Sequence, residues 1–136
     1  MNKSDYSKYQ ITQALINLLQ KTPIENITIT SLVTKAKVSR NAFYNNYQSI
    51  EDVLKEVYQQ AHQKTFQHKY KDISYFTSDE AILDFIHFFD DNTALLLALN
   101  KWDLLPYISK YNTDCILQSL NQSNNSFVHQ YKEYFM

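Results

Sequence analysis

Glycine is absent from the 136 residues, and proline occurs only twice. Tight hairpin turns draw on glycine for positive φ, so their usual residue is missing and a β-rich fold is not expected. A helical chain can do without glycine, provided its helices end by other means. The lone cysteine, Cys115, allows no internal disulfide and fits a reducing compartment. No stretch approaches the roughly 18 to 20 apolar residues that a membrane span needs. The opening MNKSDYSKYQ has no apolar h-region, so no signal peptide is expected. These absences together predict a soluble cytoplasmic protein. Without glycine there is no phosphate-binding loop. No catalytic constellation stands out either, so neither an enzyme nor a cofactor is expected.

Hydrophobic residues make up 44% of the chain, enough for a packed core and too many for wholesale disorder. The net charge of -1 conceals an asymmetry. Residues 1–50 carry six basic and two acidic side chains, whereas residues 51–136 carry seven basic and twelve acidic ones. A basic front and an acidic back suit an N-terminal module that approaches phosphates. Scattered surface charge would give the same count, so charge alone does not settle the reading.

Helical periodicity organises the chain. Ile11, Ala14, Leu15, Leu18 and Leu19 follow the stripe of a half-buried helix, and Pro23 lies just beyond its expected end. Ile27, Ile29, Leu32, Val33 and Ala36 form a second apolar set beside Thr28, a capping residue. After Ala36-Lys37, Ser39 caps a short third helix whose buried side is Ala42, Phe43 and Tyr47. Ser49, with Glu51 and Asp52, opens a fourth, which carries Val53, Leu54, Val57, Tyr58, Ala61 and Phe66 to about residue 70.

Thr77-Ser78-Asp79-Glu80 reads as a capping box led by Thr77, with Ile82, Phe85, Ile86 and Phe89 following as the apolar stripe. Asp90-Asp91-Asn92 breaks that segment before an apolar helix over residues 93–100. Pro106 suits the first turn of another, with Ile108, Tyr111, Cys115 and Leu120 inward. Residues 121–126 read as a polar break. Phe127, Val128, Tyr131, Tyr134 and Phe135 then start a last helix that stops at Met136 in mid-pattern, so the natural chain is expected to continue. The fold class is all-α, divided into a three-helix head over residues 1–48 and a helical body over residues 49–136.

The stretch from Ile27 to Leu54 carries the functional signal. Leu32, Val33, Ala36, Val38 and Phe43 supply the apolar contacts that hold two short helices across a tight turn. The second helix leaves Ser39, Arg40, Asn41, Tyr44 and Asn45 on one outer face. Arg grips guanine bidentately, Asn reads adenine, and Tyr and Ser hydroxyls bind phosphate oxygens. An ordinary helical hairpin with a polar outer face has the same spacing.

TITSLVTKAKVSRNAFYNNYQSIEDVL resembles the DNA-binding signature of the TetR family of bacterial transcriptional regulators. Thr28, Leu32, Ala36, Val38, Ser39, Phe43, Tyr44, Tyr47, Glu51, Asp52 and Val53 stand at the matching places. The likeness covers about the first 60 residues. It implies a helix-turn-helix whose DNA contacts come from Thr28, Thr30, Lys37, Ser39, Arg40, Asn41, Tyr44, Asn45 and Ser49. Two departures stand out. Lys37 occupies the usual turn glycine, a position that often needs positive φ, and Ile50 replaces the usual phosphate-binding lysine. Lys35 or Lys37 is the available substitute for that contact.

The same resemblance implies a repressor that binds a palindromic operator as a homodimer and is released by a small effector in the helical body. Tyr58, His62, Phe66, Phe85, Phe89, Trp102 and Tyr107 are the candidate lining for a small apolar or aromatic effector. Aromatics at helical spacing, Phe88 among them, also serve as plain core. His62 and His87 read more simply as satisfied or surface histidines, and Cys115 as a buried thiol. His129 and Glu133, four apart, do not by themselves make a metal site. The competing function is a helical protein-interaction module with a vestigial head.

Overall fold

The computed structural model describes residues 2–66, 69 and 73–122. The last helix expected from Phe127, the His129 and Glu133 pair, and the side chains of Tyr107, Cys115 and Leu120 lie outside the described residues. Among those described there are seven α-helices and no strand. They are α1 (Lys3–Leu19), α2 (Ile29–Ala36), α3 (Arg40–Asn46), α4 (Ile50–Phe66), α5 (Asp79–Asp91), α6 (Thr93–Lys101) and α7 (Leu105–Gln122). Short 3-10 turns occupy Ile24–Asn26 and Ile73–Thr77. No described helix is long and apolar enough to cross a membrane.

The chain packs as two units. The first combines residues up to Tyr58 with Thr93–Leu104. In it α1 lies against α2, α3 and α6. Ile11, Leu15, Leu19, Leu32, Phe43, Val53 and Leu99 are fully enclosed. Each such side chain stabilises the fold by about 1.5–3 kcal/mol relative to exposure. α1 begins earlier than its apolar stripe, because Asn2 caps it by accepting from the Asp5 amide at 2.8 Å.

Helix ends in this unit are closed without glycine. Lys37 (φ 58°) follows α2 and Asp103 (φ 56°) follows α6, both left-handed. Val38 N–H donates to the Val33 carbonyl at 3.1 Å, and Lys37 N–H to Thr34 at 3.3 Å. Leu104 N–H to Leu99 at 2.8 Å and Asp103 N–H to Asn100 at 3.3 Å repeat that pattern. Both are Schellman closures made with residues that bear a Cβ.

α1 ends differently. The Trp102 indole N–H donates to the Leu19 carbonyl at 2.6 Å, and the Lys101 ammonium to the Gln20 carbonyl at 2.9 Å. Gln20 in turn donates to the Ala94 carbonyl at 3.1 Å. The segment at the end of α6 thus satisfies carbonyls left over at the α1 C-terminus, and Lys101 complements its negative dipole end.

The second unit holds Gln59–Asn92 and the described residues from Leu105 onward. His62 is buried in a ring cluster, 4.9 Å from Phe66, 5.4 Å from Tyr111 and 6.3 Å from Phe88 between centroids. Burial pushes its pKa below the usual histidine value. In the same unit, Asp84 accepts from Lys69 and from the Tyr75 hydroxyl, each at 2.7 Å. Those two bonds hold its carboxyl below the usual carboxylate range.

Two details of α5 depart from expectation. Its cap is Ser78, which accepts from the Ala81 amide at 3.2 Å, while the Thr77 hydroxyl donates to the Ser74 carbonyl. Its apolar stripe also faces outward. Ile82, Phe85, Ile86 and Phe89 are 60%, 41%, 50% and 57% exposed, whereas Ala81 and Phe88 are buried. Periodicity identifies the apolar face of a helix and does not say what covers it.

Candidate nucleic-acid interface

The candidate contact residues all belong to the first unit. α2 starts at Thr28 with a reciprocal cap. The Thr28 hydroxyl accepts from Ser31 N–H at 3.0 Å, and the Ser31 hydroxyl accepts from Thr28 N–H at 3.1 Å. The sequence continues through the Lys37 turn to Ser39, whose hydroxyl accepts from the Ala42 amide at 3.0 Å and starts α3. The left-handed Lys37 and the Ser39 cap therefore define the α2–α3 connection.

Phe43 is the wholly buried residue of α3. Its ring meets Tyr44 edge-on at 5.4 Å and Tyr47 at 5.8 Å. Arg40, Asn41, Tyr44 and Asn45, at i, i+1, i+4 and i+5, share the opposite face and are exposed. Thr28, Thr30, Lys37 and Ser39 are exposed as well, and Ser49 is half-buried. Ser49 caps α4 by accepting from Asp52 N–H at 3.2 Å, and the Asp52 carboxylate accepts from Gln48 N–H at 3.3 Å. The hydroxyls of Thr28, Ser39 and Ser49 are thus engaged in starting helices. Ile50 is buried.

Arg40 is held. Its Nη1 donates to the Thr30 hydroxyl at 2.6 Å and its Nη2 approaches the Tyr44 hydroxyl at 3.5 Å. The guanidinium also lies 5.9 Å from the Tyr44 ring centroid.

Several supporting residues carry no sequence signal of their own. Asn46 donates to the Ala42 carbonyl at 2.8 Å and accepts from the Ser4 hydroxyl at 2.8 Å, linking α3 to α1. Lys8 of α1 pairs with Glu56 of α4 at 3.1 Å and lies 5.8 Å from the Tyr47 ring centroid. Burial and the neighbouring Glu56 carboxylate push the Tyr47 phenol far above its usual pKa. Neither the Tyr47 hydroxyl nor Glu56 Oε2 makes a hydrogen bond of good geometry. The Ser4–Asn46 and Lys8–Glu56 contacts join residues 42 and 48 positions apart, which local patterns do not reveal.

The candidate effector-lining residues divide between the units. Tyr58 and Trp102 belong to the first, where Trp102 closes α1. His62, Phe66, Phe85 and Phe89 belong to the second. There Phe66 joins His62 and Phe85, at 4.9 Å from each ring, while Phe89 meets Phe88 at 6.0 Å. No group of three or more metal-ligating side chains occurs among the described residues. Comparison with family models, with curated proteins and with solved structures found no match to the chain.

Proposed function

We propose that this chain is a sequence-specific DNA-binding transcriptional regulator of the kind that the TetR resemblance implies. The observation that carries this reading is the exposed face of α3. Arg40, Asn41, Tyr44 and Asn45 are exposed together on a helix that buries Phe43 and starts at the Ser39 cap, just after the left-handed Lys37. In this reading α2 and α3 form a helix-turn-helix and α3 enters the major groove. Arg40 and Asn41 read base edges, while the Tyr44 hydroxyl and Lys37 contact phosphates. The basic excess of the first 50 residues strengthens attraction to duplex DNA.

One seven-residue helix reads too few base pairs for useful specificity, so the proposal includes a homodimer on a palindromic site. Its half-sites lie about 34 Å apart, one turn of DNA. The regulatory element of the proposal is repression, relieved when a small apolar or aromatic effector shifts the population of dimer states. Selection from a random duplex pool tests the reading. Enrichment of a two-fold symmetric site with that spacing is expected, and an unenriched pool defeats it.

The exposed apolar stripe of α5 favours a second reading, a helical protein-interaction module. Such a module has no need of duplex DNA and predicts no salt-dependent DNA affinity.

A further inference from the structure

Arg40 is tied down in the unbound protein, and the tie crosses from α3 to α2. The Nη1–Thr30 bond is short, at 2.6 Å, as expected when the donor is charged. On its far side the guanidinium is flanked by the Tyr44 ring and hydroxyl. A free arginine stem samples many rotamers, and docking its fork on a base edge costs that freedom. Here much of it is already spent before DNA arrives. The guanidinium has five N–H donors. One goes to Thr30 and one points toward Tyr44, so enough remain for a two-bond grip on guanine.

We propose that Thr30 is a positioning residue for base readout. Its hydroxyl holds the Arg40 guanidinium in a reading orientation, and its contribution is to specificity at the base pair that Arg40 reads. The inference rests on the DNA-binding reading above and refines it, because a threonine at the start of α2 would otherwise serve as a phosphate contact. Thr30 itself is exposed and stands outside the Thr28–Ser31 capping pair, so replacing it leaves the cap in place.

The experiment compares Thr30→Val, Thr30→Ser, Arg40→Ala and the Thr30→Val/Arg40→Ala double variant in the full chain. Each is titrated against the selected duplex and against one substituted at the base pair whose readout Arg40→Ala relaxes. Thr30→Val is expected to lower the discrimination between the two duplexes about three- to ten-fold and to add little once Arg40 is gone. Thr30→Ser, which keeps the hydroxyl, should restore it. In the unbound protein, NMR relaxation of the Arg40 Nε–H should show greater motion in Thr30→Val than in the parent chain.

Equal loss on both duplexes, full additivity with Arg40→Ala, or unchanged Arg40 mobility would overturn the positioning role while leaving DNA binding intact. Failure of the parent chain to bind any duplex would instead remove the functional reading, and this inference with it.

Discussion

A residue with a Cβ in the left-handed region carries steric strain of about 1–2 kcal/mol that glycine escapes. Lys37 and Asp103 both sit there. Lys37→Gly should therefore raise stability by about 0.5–1 kcal/mol, the gain being trimmed by glycine's greater freedom in the unfolded chain. Asp103→Gly should gain less, since aspartate tolerates this region better than lysine does. Thermal denaturation checks both, and a lower melting temperature for Lys37→Gly would count against the strained turn. The same Lys37→Gly substitution should weaken DNA binding, because it removes a proposed phosphate contact. Stability and affinity are thus expected to move in opposite directions.

Trp102 makes a second test at this scale. Trp102→Phe keeps an aromatic body but leaves the Leu19 carbonyl without its 2.6 Å donor. A loss of about 1–3 kcal/mol is expected, read from chemical denaturation. The Lys37 strain was visible in advance, because the resemblance aligns it with a turn glycine. The Trp102 bond was not, since it spans 83 positions and rests on a tryptophan that reads as ordinary apolar lining.

Among the elements, α1 to α3 follow their sequence patterns closely, and α4 spans Ile50–Phe66, short of the expected residue 70. Thr28, Ser39 and Ser49 each cap the helix that they were expected to cap. Local chemistry suffices there, because a cap and its helix are neighbours in the chain. α5 shows the limit. Its stripe of Ile82, Phe85, Ile86 and Phe89 was legible, yet the buried face contains Ala81 and Phe88 instead. Which face is covered depends on partners far away in sequence. The exposed polar face of α3 was legible for the opposite reason, since such a face needs no partner within the fold.

That face gives the next prediction. Arg40→Ala or Asn41→Ala should each relax specificity at one position per half-site, by about 1–3 kcal/mol per lost bidentate contact. Tyr44→Phe keeps the ring beside Arg40 and loses only the hydroxyl, so affinity should fall on all sequences alike. Titrations against single-substitution duplexes check both patterns. A Tyr44→Phe loss confined to the base pair that Arg40 reads would instead assign the hydroxyl to holding Arg40, and one confined to another base pair would assign it to base readout.

The cluster around His62 predicts an acid response. Burial lowers its folded pKa below the usual 6.5, so below that value the unfolded chain binds more protons than the folded one. Stability should accordingly fall as pH drops through 6.5 toward the folded value, and level off beneath it. Asp84 adds a loss of the same sign, at pH values where its depressed carboxyl is finally protonated. His62→Leu should remove the first loss and spare the second. Denaturant titrations at a series of pH values separate them, and an unchanged acid profile in His62→Leu would show that His62 does not drive the first loss.

At the scale of the whole molecule, the proposed function sets the α3 face of a basic N-terminal segment against duplex DNA. The basic residues of the head are Lys3, Lys8, Lys21, Lys35, Lys37 and Arg40, and the acidic excess lies beyond it. Each phosphate neutralised releases counterions, so log affinity should fall linearly with log salt at about -0.9 per contact. The most direct test is duplex binding by fluorescence anisotropy across roughly 50 to 200 mM salt, with the selected site beside a scrambled one. A loss of about 10²-fold or more is expected over that range, with the selected site tighter at every salt concentration. Affinity that is absent, or flat with salt, would contradict the proposed function and leave the interaction-module reading in its place.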